Sequence, residues 1–339
     1  MQNISLADFL EYRFLSKLQL SPDGTKAAFV VSRQNKQENN YAADIYLAHC
    51  AAHSIKQLTH TGKEHDFVWD GADTLLFPSC RCKEDEAPRF YQKTVFYRLS
   101  LSGGEAYRAF EVPYDVKEIC PCGDGVHYAM AVRIDHTRPD PRTHTMEECE
   151  DAEDYILLEE MPFATNGEGY TSRVRMTLAL YNAETDETKL LTPPMFMLGA
   201  FRWAGKQLVY TGHSYTTVKA KTKGMYAYSL ATGETRTLVE DGALAIYHIG
   251  EEEGTVLFTA SDLKQYGSAS GQDFYKLSLA GGGCEKLLAH ELVPGTSPIT
   301  DSTYGSGNAF VCAQGAAYYI VLDRFQSHIR IIDAAGVQQ

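Results

Sequence analysis

Residues that could carry hydrolytic chemistry are the first feature of this sequence to test. An acyl-transfer hydrolase presents its serine on a strand–turn–helix elbow with the pattern G-x-S-x-G. The nearest match, GSASG at 267–271, has alanine at the central position and lies in a loop between strand patterns. GSG at 305–307 is too short, and the sequence contains no phosphate-binding loop and no H-E-x-x-H zinc helix. We therefore predict no catalytic residue in this chain.

Cysteine and histidine spacing does not predict a metal site either. Cys80 with Cys82 and Cys120 with Cys122 form C-x-C pairs, whereas a zinc knuckle needs C-x-x-C. We interpret these residues as small thiols that are buried or lie on sheet edges. The eleven histidines show no pair at helical ligand spacing, so each is predicted to lie on the surface or in a turn. We expect neither a metal nor a cofactor.

The composition is that of an acidic globular protein. Among 339 residues, 44 Asp and Glu stand against 31 Lys and Arg, and the net charge is -13. This balance disfavours nucleic acid as a partner, because phosphate contacts need clustered cations. No apolar run approaches the ~20 residues of a membrane-spanning helix. Asp8, Glu11 and Arg13 stand where a signal peptide would be apolar. With dilute cysteines, this predicts a cytoplasmic protein that binds no membrane.

A repeated strand pair is the most informative feature of the sequence. Each copy consists of a strand with an apolar centre, a polar turn and a second strand ending in Leu or Phe. The copies lie at 45–58, 96–110, 178–191, 225–238 and 274–288, and a sixth begins at 329. Equivalent places are held by Tyr46, Tyr97, Ala179, Tyr226, Tyr275 and Arg330. Another strand pair precedes each copy, which makes four short strands per ~50 residues. That period is typical of a β-propeller, so we predict an all-β propeller of about six four-stranded blades; the alternative is a generic β-sandwich.

The repeat also predicts the domain organisation. We expect residues 1–13 to form an N-terminal helical segment, with the helix at 4–13 and Ser5 as its N-cap. Residues 14–339 are expected to form the propeller. The predicted blades are about 14–62, 63–113, 114–194, 195–242, 243–290 and 291–339. The third contains an insertion, roughly 135–170, that is partly helical from Thr145. In the last blade we predict a second strand at 316–324, a third at 328–334 and a fourth only begun at 337, so that blade is expected to be incomplete.

Three stretches resemble prolyl-oligopeptidase-family serine peptidases, and the acylaminoacyl-peptidase and dipeptidyl-peptidase branch in particular. They are LSKLQLSPDGTKAAFVVS at 15–32, the block from Leu158 to Pro193 with its N-G-x-G-Y turn, and DSTYGSGNAF at 301–310. The resemblance implies a propeller that caps a C-terminal α/β-hydrolase domain holding Ser, Asp and His, and that admits short peptides. We expect this chain to lack that domain, so no catalytic residue can be carried over.

The resemblance also implies one candidate binding site. Dipeptidyl-type members hold the free amine of a peptide with acidic propeller residues. Glu159 and Glu160, where the insertion rejoins its blade, are the candidates, because an ammonium group gains charge-assisted hydrogen bonds from carboxylates. In an extended segment only one of the two can face a given side. Alternatively both are solvated members of an acidic run, or they pair with Arg173 and Arg175 in a structural role.

Three functions remain open at this point. The first is a non-catalytic propeller that gates and filters short peptides for a hydrolase domain of the same parent protein. The second is a free-standing propeller that acts as a protein-binding scaffold. The third is a propeller hydrolase with a metal held by several converging side chains. Unpaired strand edges in an incomplete blade additionally predict self-association.

Overall fold

The computed structural model describes residues 5–295, 308–324 and 326–337. Their strands form six antiparallel sheets in sequence order and one two-stranded hairpin. Consecutive sheets of up to four neighbouring strands are the blades of a β-propeller, so the predicted fold class is confirmed. The chain divides into two compact units, of which one ends at Pro113 and the other begins at Tyr114.

The first unit opens with a 3-10 helix, Leu6–Glu11. This helix is shorter than the predicted one over 4–13, because strand β1 already begins at Arg13. The Asp8 carboxylate accepts hydrogen bonds from the Ser5 N–H at 2.9 Å and from its hydroxyl at 3.0 Å, so Ser5 lies at the predicted cap position but its side chain donates. The Asp23 side chain, in the turn after β1, accepts from Ser21 and Thr25, and these bonds lower its pKa to about 2.

Two sheets follow in this unit. The first consists of β1 (Arg13–Leu20), β2 (Lys26–Asn35), β3 (Asn40–His49) and β4 (Ser54–Gln57). The second consists of β5 (Val68–Trp69), β6 (Thr74–Pro78), β7 (Thr94–Ser100) and β8 (Tyr107–Val112), with a 3-10 turn at Lys83–Asp85. Fully buried Ile45 of the first sheet and Phe67, Leu75 and Phe77 at the second share one apolar core.

The second unit starts with the sheet that carries the insertion. Its strands β9 (Asp115–Pro121) and β10 (His127–Asp135) precede the insertion. The insertion holds helix α1 (Met146–Asp151) and the hairpin of β11 (Ala164–Thr165) and β12 (Gly169–Tyr170). The sheet then resumes with β13 (Val174–Asn182) and β14 (Glu187–Leu190). Thr145 caps α1 as predicted, because its hydroxyl accepts a hydrogen bond from the Glu148 N–H at 3.2 Å.

Three further sheets complete the second unit. The fourth consists of β15 (Phe196–Ala204), β16 (Gln207–Ser214), β17 (Gly224–Ser229) and β18 (Thr235–Val239). The fifth consists of β19 (Ala245–Glu252), β20 (Thr255–Ser261), β21 (Asp273–Ser278) and β22 (Glu285–Leu288), with a 3-10 turn at Gly267–Ala269. The sixth consists of β23 (Phe310–Ala313), β24 (Ala316–Asp323) and β25 (Gln326–Asp333).

The register repeats from sheet to sheet. In four sheets the equivalent tyrosine of the third strand stands opposite an aromatic residue of the second strand, and the pairs are Phe29–Tyr46, Phe77–Tyr97, Tyr210–Tyr226 and Phe258–Tyr275. All four pairs stack, with ring centroids 5.3 to 6.4 Å apart. Ala179 stands opposite Met130, and Arg330 opposite Tyr319, in the same register. The strand register is therefore the same in the two sheets whose third strand lacks the tyrosine.

The sixth sheet has three strands among the described residues. Its second and third strands end one residue earlier than predicted, at Asp323 and Asp333, and the third begins two residues earlier, at Gln326. The first seven residues of DSTYGSGNAF, 301–307, lie outside the described part of the chain.

Candidate functional site

Glu159 and Glu160 lie in the segment that returns from the insertion to β13. The next residue, Met161, pairs with the loop after β16: its N–H donates to the Thr217 carbonyl at 2.7 Å, and the Lys219 N–H donates to the Met161 carbonyl at 3.0 Å. This pairing fixes the segment as an extended piece of backbone. The two adjacent side chains therefore point in different directions, and Glu160 is buried while Glu159 is exposed.

Glu160 forms a fully buried ion pair with Arg175 of β13, since both side chains are 0% exposed. The guanidinium donates to Oε1 of Glu160 at 2.5 Å and to Oε2 at 3.0 Å. Its remaining hydrogen bonds go to the carbonyls of Met195, Val174 and Tyr215. All five N–H donors of the guanidinium thus have acceptors, and a buried charge needs such full satisfaction.

Further contacts hold this pair in place. The Arg175 guanidinium carbon lies 3.8 Å from the ring centroid of Tyr215, which is a cation–π contact. The backbone N–H of Arg173 donates to Glu160 Oε2 at 2.7 Å. Burial alone would raise the pKa of Glu160, but the hydrogen bonds from Arg175 and Arg173 outweigh burial and hold the pKa below its usual range. Glu160 is therefore an ionised carboxylate with a structural partner.

Glu159 is the more accessible carboxylate. Its Oε2 accepts from the Arg173 guanidinium at 2.8 Å, and the two side chains are 44% and 38% exposed. Its Oε1 accepts no hydrogen bond from the described residues. The backbone N–H of Glu159 donates to the buried Ser172 hydroxyl at 3.0 Å, which fixes the position of the residue. A half-exposed carboxylate with one oxygen that accepts no hydrogen bond from the described residues can accept from a further cationic donor.

Apolar side chains surround this carboxylate along the chain. Tyr155, Ile156, Leu157 and Leu158, which we call the apolar segment, are all exposed, and so is Met161. A run of large exposed apolar residues is unusual on a soluble surface and is typical of a binding surface. An acidic run that includes Glu147 and Glu150 precedes it. The surface at the base of the insertion thus combines apolar area with negative charge.

Sequence reasoning missed Tyr215 and His213 beside this ion pair. His213 of β16 is 1% exposed, so its prediction as a surface or turn histidine is wrong, and the same holds for His290 at 7%. The His213 ring stacks on Tyr215 at 5.4 Å, and within the described residues neither ring nitrogen has a hydrogen-bond partner. Burial lowers the pKa of His213, and the positive charges of Lys219, Lys223 and Arg175 add to that effect. The only sequence signal was the position of His213 in a strand pattern.

The other residues considered from sequence remain separate. GSASG forms the 3-10 turn between β20 and β21, where the Lys221 amine donates to the Ser268 hydroxyl. All eight cysteines are free, and Cys122 is buried after β9. Across residues 5–295, 308–324 and 326–337, no group of three His, Cys, Asp or Glu side chains is placed to hold a metal ion. In the same residues no helix is long and apolar enough to cross a membrane.

Comparison with known proteins adds the family context. No protein-family model matches the chain. The "Uncharacterized peptidase YuxL" of Bacillus subtilis (strain 168) is 29% identical over 201 residues, which are 58% of this chain and 29% of that protein. The acylaminoacyl peptidase of Pyrococcus horikoshii matches with a TM-score of 0.69 at 15% identity, over 96% of this chain and 45% of that one. The predicted resemblance to prolyl-oligopeptidase-family peptidases is confirmed.

A second solved structure is matched over most of its own length. It is the β-propeller domain of the trilobed protease from Pyrococcus furiosus, with a TM-score of 0.62 at 11% identity, over 98% of this chain and 83% of that one. At such identities the structural likeness concerns the fold. The present chain spans less than half the length of the B. subtilis relative and of the P. horikoshii peptidase.

Proposed function

We propose that this chain is the non-catalytic propeller of a serine peptidase that acts on short peptides. In this proposal it gates and filters substrate for an α/β-hydrolase domain of the same parent protein. The fold likeness to acylaminoacyl peptidase supports it, and so does the peptidase relative from B. subtilis. The observation that carries it is the open carboxylate oxygen of Glu159 beside the exposed apolar segment.

Peptide recognition follows from that arrangement. The ammonium group of a peptide donates to Oε1 of Glu159, while Arg173 keeps its bond to Oε2. The first side chains of the peptide then pack on the apolar segment. Glu160 does not touch the peptide in this scheme, because Arg175 and the Arg173 N–H already occupy its oxygens. It is a positioning residue that holds the segment against the sheet.

The test is the binding of Gly-Gly-Phe with a free amine, compared with its N-acetylated form, followed by NMR titration of the isotope-labelled chain. We expect the free-amine peptide to bind about tenfold more tightly, since a hydrogen bond to a charged group contributes roughly 1.5 kcal/mol or more. Glu159→Gln should remove most of that preference. Glu147→Gln is the matched control, because Glu147 is an exposed acid of the same insertion, in helix α1.

Two results would count against this proposal. Equal affinity for the free and acetylated peptides would exclude amine recognition. An equal loss of the preference in Glu147→Gln would mean that overall negative charge, and not Glu159, attracts the peptide.

The second candidate function is a protein-binding scaffold, which the exposed apolar segment also favours. A purified protein partner that binds in one-to-one stoichiometry and protects Tyr155–Leu158 from hydrogen exchange would support it. The same partner would have to bind with undiminished affinity in the Glu159→Gln variant.

We also propose a cytoplasmic location. The eight cysteines are all free, which suits a reducing compartment. Cell fractionation with an antibody against the chain tests this, and recovery from an extracellular or periplasmic fraction would contradict it.

A further inference from the structure

The loop between β16 and β17 ends in a half-buried lysine without a counter-charge. Lys223 directly precedes β17, and its backbone N–H donates to the Leu244 carbonyl at 2.9 Å. The stem of its side chain lies against β15, because a Cβ added to Gly199 would be 3.5 Å from Lys223 Cδ. Within the described residues its amine forms neither an ion pair nor a hydrogen bond. A charge that is partly removed from water normally has a partner, so the group that would neutralise this amine is missing.

A second lysine of the same loop lies close to the first. Lys219 is exposed, and its backbone is fixed by the hydrogen bond to the Met161 carbonyl. It likewise forms no ion pair in the part of the chain that the structure describes. Burial lowers the pKa of Lys223, and the positive charge of Lys219 adds to that effect, so the two amines repel each other. An anion bound by both would replace this repulsion with charge-assisted hydrogen bonds.

The groups around Lys219 and Lys223, which we call the lysine pair, do not supply that anion. Burial lowers the pKa of His213, which Asp241 opposes, and the charges of the lysine pair lower it further. Burial and the charge of Lys223 also lower the pKa of His248, so the two imidazoles near the lysine pair are neutral at pH 7. Asp241 forms no ion pair with either lysine within the described residues. This part of the loop is therefore positive in a chain whose net charge is -13.

The local charge favours a carboxylate over a phosphate as the missing anion. Two ammonium groups with one aspartate nearby leave a net charge of about +1, which a single carboxylate neutralises. A phosphate dianion would leave excess negative charge near Asp241. A carboxylate also has two oxygens, one for each amine.

We propose that Lys219 and Lys223 form a binding site for a carboxylate. The carboxylate belongs either to a small organic acid or to the C-terminus of a peptide, and in both cases it accepts hydrogen bonds from the two amines. This site is independent of amine recognition at Glu159.

The test is the titration of the full isotope-labelled chain with acetate, followed by NMR, with acetamide as the uncharged ligand of similar shape. We expect saturable shifts of the signals of the lysine pair with acetate and none with acetamide. Acetate should also raise the pKa of Lys223, since a bound anion favours the protonated amine. Glu159→Gln should leave acetate binding unchanged, so this result does not depend on the proposed recognition of peptide amines.

Two further ligands distinguish the sources of the carboxylate. Gly-Gly-Phe and its C-terminal amide are titrated in the same way, and binding is read from the signals of the lysine pair. Tighter binding of Gly-Gly-Phe than of acetate, lost in the amide, identifies the C-terminus of a peptide. Equal affinity of Gly-Gly-Phe and acetate identifies a small organic acid.

Substitutions in the loop locate the site. Lys223→Gln should weaken acetate about tenfold, as expected for a hydrogen bond to a charged group, and Lys219→Gln about threefold, because that amine is exposed. Lys221→Gln is the matched control: it removes the same charge from the same loop, but the Lys221 amine already donates to the Ser268 hydroxyl, so binding should be unchanged.

Three results would overturn the proposal. They are the absence of saturable shifts with acetate, tighter binding of inorganic phosphate than of acetate, and equal weakening by Lys221→Gln and Lys223→Gln. The last result would mean that overall positive charge, and not the lysine pair, attracts acetate. Circular dichroism verifies that all three variants fold.

Discussion

Replacing Glu160 by alanine removes the carboxylate that neutralises a fully buried guanidinium. Arg175 then keeps its hydrogen bonds to the carbonyls of Met195, Val174 and Tyr215 and its contact with the Tyr215 ring. It loses the two hydrogen bonds to Glu160, and the Arg173 N–H loses its acceptor as well. A buried charge without a counter-charge is thereby created.

The expected cost is large for a single substitution. Breaking a buried ion pair by removing one partner costs about 3–5 kcal/mol. The three carbonyls retained by Arg175 place this case near the middle of that range, at about 4 kcal/mol. Against a total stability of about 5–15 kcal/mol, that is a substantial fraction. At about 2–4 °C per kcal/mol for a unit of this size, the melting temperature should fall by about 8–16 °C.

Urea and thermal unfolding followed by far-ultraviolet circular dichroism measure this loss. Glu159→Ala is the matched control: its ion pair is half-exposed, so it should cost less than about 1 kcal/mol. Because the pKa of Glu160 is lowered in the folded chain, its contribution is complete above about pH 4.3 and disappears as the pH falls through the folded-state pKa. A loss below about 1 kcal/mol for Glu160→Ala, or one equal to that of Glu159→Ala, would refute the account of the buried pair.

Two other substitutions test the packing around this site. Gly212→Ala should lower the free energy of unfolding by about 1–3 kcal/mol, because a Cβ there would overlap the ring of Phe196 and lie 2.5 Å from the Met197 carbonyl. Gly283→Ala is the control and should be nearly neutral in the same urea titration, since its Cβ meets nothing within 4 Å. Equal losses of stability in the two variants would contradict this prediction. His213→Phe should leave stability at pH 7.5 unchanged or raise it by about 1 kcal/mol, since it removes two buried nitrogens that have no partner in the described residues. Because the pKa of His213 is lowered in the folded chain, the unfolded chain takes up a proton below about pH 6.5 before the folded chain does. Stability should therefore fall less steeply between about pH 6.5 and 5 in His213→Phe than in the unmodified chain. Identical slopes would argue against a neutral buried imidazole.

Local patterns account for the parts of the fold that could be predicted. Period-two alternation and glycine turns located the repeated strand pairs, and the register held even at Ala179, where the stacked aromatic pair is absent. Thr145 and Glu148 have the spacing of a capping box, so the start of α1 was also readable. These features depend on residues close in sequence.

Contacts between segments that are distant in sequence could not be predicted from local patterns. The segment at Met161 pairs with residues near Val218, and this pairing decides that Glu160 is buried and Glu159 exposed. Arg173 and Arg175 were recognised as possible ion-pair partners, but Tyr215 and His213 were not. Their position depends on how the insertion returns to its sheet, and no local pattern encodes that return.

The central proposal is that this chain binds short peptides and leaves hydrolysis to another domain. One NMR time course tests both parts: free-amine Gly-Gly-Phe is mixed with the isotope-labelled chain, and the spectra of chain and peptide are followed together. We predict saturable shifts at Glu159 and in the apolar segment, with the peptide intact throughout. Steady appearance of cleavage products, or no saturable shift at these residues, would contradict the proposal.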